Sequence, residues 1–239
     1  MKKLYCFAVF ILVLGCSPKG EESGGQIVKK AIAAHGGIEN FKALDSVSIE
    51  KTTRLFTENG TLESETVQFQ KFVFNSKKRI EISWGEGTAE TEIISTGNST
   101  FKFVEDRLVT GITEIEAAER AVAAAEYVFF QPFKFMVDGA TFEYLGTQKI
   151  KGGTAVKKVR VYYGPDSNPT DDVWHYFFDK KYRLAAAQVK HNGRSSFIEN
   201  LAFQRYKGLL FNKHRKSFFV DSLGRKLYLR AEYFYKITP

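Results

Sequence analysis

The chain has 239 residues but only two cysteines, Cys6 and Cys16, and none beyond residue 16. The body of the protein therefore has no disulfide, no thiolate metal site and no cysteine nucleophile. Histidine is scarce too: His35, His175, His191 and His214 are the only four. They show no His-x-His, His-x-x-x-His or His-Glu-x-x-His spacing, so a dedicated zinc site has no ligand set. Gly-x-Ser-x-Gly elbows and phosphate loops are missing as well. The longest apolar run, Leu4 to Gly15, is about half of the roughly 20 residues that a spanning helix needs. No repeat with a period of about 20–50 residues occurs, which argues against a propeller or solenoid. No catalytic residue, metal or cofactor is expected from these features.

What is present begins at the N-terminus. Lys2 and Lys3 precede the apolar run, and Gly15 precedes Cys16. A charged start, an apolar core and a small residue at the cut site read as a secretory signal. The run Leu12-Val13-Leu14-Gly15-Cys16 resembles the lipobox of bacterial lipoproteins. That resemblance implies cleavage before Cys16 and lipid attachment at Cys16, which becomes the membrane anchor. Two or more acyl chains hold a protein stably at a bilayer. The expected organisation is a signal at 1–15, a lipidated polar tether at 16–25 and one domain at 26–239. Ser17 is not the Asp that marks inner-membrane retention in that family. The expected location is the cell envelope, as an outer-membrane lipoprotein facing the periplasm or the surface. Export removes nucleic acid as a partner.

The net charge is +8. Basic clusters fall at Lys29-Lys30, Lys77-Lys78-Arg79, Lys157-Lys158, Lys180-Lys181 and Lys213 to Lys216. Most lie at predicted turns or strand ends and read as solvated edges that discourage strand aggregation. Attraction to anionic head groups or an acidic partner is the sharper alternative.

Ser23 and Gln26 have capping-box spacing, and Ile27, Val28, Ala31 and Ile32 form a helical stripe that ends at Gly36-Gly37. After Leu44 the apolar period becomes two. Val47, Ile49 and Leu55 point one way and Ser48, Glu50 and Arg54 the other; further strands are expected near 62–74, 78–84, 90–96 and 100–109, with Asn59-Gly60 as a type I′ turn. Thr113 and Glu116 suggest a second capping box with Ile112 as its staple, opening an Ala-rich helix over Glu114–Glu126. Ile115, Ala118, Val122 and Ala125 share one face of it. Further strands are expected at 141–150, 154–164, 172–179, 182–191, 195–206, 209–219 and 226–237. The expected fold class is mainly β (α+β): a curved antiparallel meander of about eleven strands, forming an open half-barrel. Both helices lie on its concave side, since a sheet this long curls.

Three segments carry a family resemblance: Ala31 to Lys42 with His35-Gly36-Gly37, Phe129-Phe130-Gln131-Pro132-Phe133, and Asp172 to Asp179 with its Trp174. With the strand pattern over residues 26–237 they resemble the LolA/LolB-like half-barrel superfamily of lipoprotein and lipid carriers. Within it, they are most similar to little-characterised Bacteroidota-type lipoproteins. The resemblance implies an open barrel whose apolar concavity holds acyl chains under a helical lid, without chemistry. A lipid anchor departs from the soluble carrier type and fits the membrane-bound receptor type better, or neither.

Two aromatic groups are the expected ligand-binding walls. Phe129, Phe130, Phe133, Phe135 and Met136 flank the inserted helix, while Trp174, Tyr176 and Phe178 share one strand face. Aromatics also dominate ordinary cores, so plain packing is the competing reading. His35 beside Gly36 suits a structural role at a helix end. His175 points away from Trp174 and Tyr176, and His191 and His214 are expected near turns and exposed. Asp138, Asp171 and Asp172 are the acids weighed for an acid pair. The leading expectation is a membrane-anchored envelope protein that binds a lipid, a lipoprotein acyl chain or another apolar ligand, and is not an enzyme. An envelope scaffold that docks a protein partner is the second. A hydrolase with a His/carboxylate site, such as His175 with Asp172, is the third.

Overall fold

The computed structural model describes residues 22–75, 77–85, 90–136, 139–150, 153–163, 173–191 and 193–238. Helices α1 (Gly24–Ala34) and α2 (Ile38–Lys42) open the chain. Strands β1 (Ser46–Phe56), β2 (Leu62–Val73), β3 (Arg79–Trp84), β4 (Thr91–Ser95), β5 (Thr100–Val104) and β6 (Arg107–Leu108) follow. Helix α3 (Ile112–Phe129) then leads to β7 (Thr141–Lys149), β8 (Ala155–Tyr162), β9 (Val173–Phe178) and β10 (Leu184–His191). The chain ends with β11 (Arg194–Tyr206), β12 (Leu209–Val220) and β13 (Lys226–Thr238).

All thirteen strands form one antiparallel sheet, in the order β6-β5-β4-β3-β2-β1-β13-β12-β11-β10-β9-β8-β7. It is an open half-barrel, as expected, but not one meander. It is two meanders joined where β1 pairs with β13, for example Ile49 with Ile237 and Lys51 with Tyr235. The two free edges, β6 and β7, are consecutive in sequence. The chain must therefore cross from one edge of the sheet to the other, and α3 with the segment after it makes that crossing. The single strand expected over 100–109 is two strands. Glu105 and Asp106 both take positive φ and turn the chain between β5 and β6.

Helix α1 has the expected capping box. Ser23 Oγ accepts from the Gln26 N–H, and Gln26 Oε1 accepts from the Ser23 N–H. Its end explains the His-Gly-Gly motif. The His35 carbonyl accepts from the Leu210 N–H at 2.8 Å, which clips the helix end to the β11–β12 hairpin. Gly36 has φ +114°, and a Cβ there would lie 2.6 Å from the Gly208 carbonyl oxygen. Both the conformation and the close approach require glycine. The Asn59-Gly60 turn differs from a type I′ pair, since only Gly60 has positive φ. Asn59 Oδ1 instead accepts from the Thr61 N–H, in a three-residue loop between Thr57 and Thr61.

Helix α3 starts two residues earlier than expected, at Ile112 rather than Glu114. Gly111 is the N-cap and makes no side-chain cap bond, and Ile112 is 78% exposed, so it staples nothing. The acidic Glu114 lies in the first turn, where a negative charge complements the helix dipole. Near the other end Glu126 accepts from Lys134 Nζ at 2.7 Å and Lys78 Nζ at 2.9 Å. Burial alone would raise the Glu126 carboxyl, but the two ammonium groups outweigh it and hold its pKa below the ordinary value.

Beyond α3 the chain forms an aromatic knot. Phe129 stacks on Phe211 with ring centres 5.3 Å apart, and Phe130 meets Phe72 edge-on at 4.9 Å. Phe41 stacks on Phe133 at 4.7 Å. Each such pair contributes about 0.5–1.5 kcal/mol beyond its buried area. The knot fixes α3 against the strands around the β1–β13 seam.

Candidate functional site: a cavity under helix α3

A strand presents alternate residues to one face. In register across the sheet, the concave set includes Trp174, Val189, Ser196, Ile198, Ser217, Arg215, Tyr233, Tyr235, Lys51, Gln68, Gln70, Ile82, Trp84 and Ile93. Ala121, Ala124, Ala125 and Val128 of α3 lie opposite, at i, i+3, i+4 and i+7. These side chains are too small to reach the curved floor. A cavity of about 610 Å³ remains between helix and sheet, inside the ordinary range of small-molecule sites, about 300–1,000 Å³. Ala121 and Ala124 are themselves exposed, so the cavity opens along that side of the helix. The other side of α3, Ala118 with Val122, packs into the core.

The cavity has a sorted lining. Ile82, Trp84 and Ile93 form an apolar wall on one side, and Trp174, Val189 and Ile198 form one on the other. Between them, β1, β2, β12 and β13 provide Lys51, Gln68, Gln70, Arg215, Ser217, Tyr233 and Tyr235. Gln70 is buried and its Nε2 donates to Gln68 Oε1 at 3.0 Å. Lys51 Nζ lies 5.7 Å from the centre of the Tyr233 ring.

Arg215 is the least expected member. The basic cluster around it reads as a solvated edge, yet Arg215 is only 3% exposed. Its Nη1 donates to the Val128 carbonyl at 3.5 Å and its Nη2 to Gln131 Oε1 at 3.4 Å. Both bonds are long, and the buried Nε has no acceptor. A guanidinium stays charged in any protein setting, and a buried charge is costly without a partner. Gln131 passes the network onward: its Nε2 donates to the Tyr176 hydroxyl at 3.4 Å, and the Tyr127 hydroxyl is bonded to those of Tyr176 and Tyr163. Burial pushes the Tyr127 and Tyr176 phenols well above their ordinary pKa, so the cluster stays neutral.

The expected wall residues divide. Trp174 lines the cavity. Phe129, Phe130, Phe133 and Phe135 are buried in the knot, and Tyr176 and Phe178 are buried beside it. Met136 is 47% exposed. Cys16, Asp138, Asp171, Asp172 and the His191 side chain lie outside the described residues. Trp84, Arg215, Lys51 and the helix alanines escaped the sequence reading. The alanine spacing on α3 was the available signal for the space beneath it.

Among the described side chains, His35, His175 and His214 are not cavity residues. His35 is 1% exposed, and its Nδ1–H donates to the Ala31 carbonyl at 2.8 Å, between the edges of Phe133 and Phe203. Burial lowers its pKa to about 4, so it is a neutral donor that closes α1. His175 lies on the convex face, where burial and then Lys158 and Arg160 lower its pKa to about 4. His214 is not beside a turn. It sits within β12, stacks on Phe234 and is 2.7 Å from Glu232. This His–carboxylate pair is on the convex face, away from the cavity lining. On the same face Phe177 is buried among Val156 and Ala186 of the adjacent strands β8 and β10.

Solved structures share this architecture over most of their length, among them the following two. A DUF1329 family protein from Desulfovibrio piger aligns with a TM-score of 0.56 at 7% identity, covering 91% of this chain and 92% of that one. A domain from Vibrio parahaemolyticus, named for outer membrane lipoprotein sorting, aligns with a TM-score of 0.50 at 9% identity, covering 90% of each chain. The lipoprotein LppX of Mycobacterium tuberculosis aligns more loosely, with a TM-score of 0.32 at 13% identity over 72% of this chain and 92% of that one. Identities this low establish a shared fold alone. No protein-family model matches the chain, and no curated protein does.

Proposed function

We propose that this chain is a lipid-anchored protein of the cell envelope that holds the apolar chain of a lipid or lipoprotein beneath α3 and does no chemistry on it. The observation that carries this reading is the cavity of about 610 Å³ between the alanine face of α3 and the concave sheet, walled by Trp84, Ile82 and Ile93 on one side and Trp174, Val189 and Ile198 on the other. Small-molecule sites combine apolar walls with placed polar groups, as the two walls and the polar strip between them do here. The name of the Vibrio neighbour, with its lipoprotein-sorting role, supports the same class of cargo. Anchoring at Cys16 keeps the cavity beside a membrane, which favours a stationary acceptor over a shuttle.

The test is extraction. The chain from residue 17 onward contains every described helix and strand, so it is the folded unit to purify. Mass spectrometry of its organic extract should find a stoichiometric lipid, or the protein should take up a fatty acid when one is offered. A lipid-free protein that takes up no fatty acid contradicts the reading.

A further inference from the structure

The cavity lining contains two cations, Lys51 and Arg215, and no aspartate or glutamate. Neither cation has a carboxylate within ion-pair distance among the described residues. Several basic side chains elsewhere in the fold are paired. Lys78 and Lys134 share Glu126, Lys157 and Lys30 share Glu22, and Lys216 meets Glu232. Surface cations leave such a pair to water at little cost. Arg215 differs from them: it is 3% exposed, its Nη1 and Nη2 make only long bonds, and its buried Nε has no acceptor. An arginine fork is matched to carboxylate and phosphate oxygens. Tyr233, in register with Arg215 and under the Lys51 ammonium, joins the two cations into one polar patch. Apolar walls flank that patch on both sides.

We propose that the cavity selects amphiphiles with an anionic headgroup, a carboxylate or a phosphate ester, whose charge is met by Arg215 with Lys51 beside it. This rests on the apolar-chain reading above and adds the headgroup to it. An uncharged lipid of the same chain length leaves the Arg215 charge unanswered and binds more weakly.

The chain's only two tryptophans, Trp84 and Trp174, both line the cavity, so a brominated chain quenches their fluorescence on contact. The probes are dibromostearic acid, its neutral methyl ester, and octadecyl phosphate as a competitor. The acid should bind at least ten-fold more tightly than the ester, and octadecyl phosphate should displace it. Arg215→Gln should cut the acid-over-ester preference to less than three-fold. Lys51→Gln, at a half-buried position that folding tolerates more easily, should reduce the preference in the same direction. Equal binding of acid and ester, or a preference that survives Arg215→Gln and Lys51→Gln combined in one protein, overturns the headgroup assignment but leaves the apolar-chain reading standing. Quenching by neither probe overturns both. Displacement of the acid by inorganic phosphate as effectively as by octadecyl phosphate would mark a plain anion site and also overturn the proposal.

Discussion

Trp84 on β3 and Trp174 on β9 line one cavity although β2, β1, β13, β12, β11 and β10 lie between their strands. Only a strongly curved sheet brings such distant strands to one space, and only a helix with small side chains leaves that space unfilled. The geometry of this pair sets the first prediction. Ala124→Phe places a ring in the cavity from an exposed helix position. Fatty-acid uptake should fall at least ten-fold. Tm should move by less than about 4 °C, the shift that about 1 kcal/mol gives in a chain of this size. Retained uptake would mean that the ligand sits elsewhere.

Gly36 predicts the cost of the His-Gly-Gly motif. A Cβ at this position meets the Gly208 carbonyl at 2.6 Å, and φ is +114°. Gly36→Ala should destabilise by at least about 2 kcal/mol, since strained backbone alone costs about 1–3 kcal/mol. Urea unfolding reads this directly as a lower midpoint. Gly37→Ala meets no atom within 4 Å, so its cost should come from φ alone and be smaller.

His35 predicts a pH dependence. Its folded pKa is about 4 because burial disfavours the charged ring. The unfolded chain takes up the proton near 6.5, so between about pH 6.5 and pH 4 the unfolded state binds more protons. Stability should therefore be fully present above pH 6.5 and decline as pH falls toward 4, by about 3 kcal/mol from this residue. His35→Gln should be less stable at pH 7 but show a shallower decline over that window. Denaturant titrations at pH 7, 6, 5 and 4 distinguish the two. An unchanged slope would remove His35 as its source.

Glu126 predicts local rather than global loosening. Its carboxylate is the shared acceptor of Lys78, which precedes β3, and Lys134, which follows α3. Glu126→Gln leaves both ammonium groups without that charge. Backbone amides of Tyr127 to Phe130 should exchange faster with deuterium, while those of β12 and β13 stay protected. Uniform acceleration across the sheet would show that the pair supports the whole fold instead.

Much of the architecture is legible in the sequence because it rests on local rules. Ser23 and Gln26 cap a helix, Gly36-Gly37 ends it, and alternation in β13 puts Tyr233 and Tyr235 on one face. The β1–β13 pairing is not local, and no pattern within either strand names its partner. The β5–β6 turn hid because Glu105 and Asp106 hold positive φ without glycine. Helix α3 was placed, but its N-cap was not, since Gly111 caps without a side chain. Of the site, the aromatics drew notice and proved mostly to be knot residues. Arg215 was masked by its neighbours. Lys213 is exposed and Lys216 is paired, while the irregular pairing of β11 with β12 around His214 precedes the residue that turns inward. A buried cation inside a basic run looks like surface until the register is known.

A crystal structure with dibromostearic acid, using the anomalous signal of bromine, locates the bound chain. Bromine peaks should lie between Trp84, Trp174 and Ala125, beneath α3. Bromine found only on the convex face or in no ordered position, with the cavity empty, would contradict binding beneath α3.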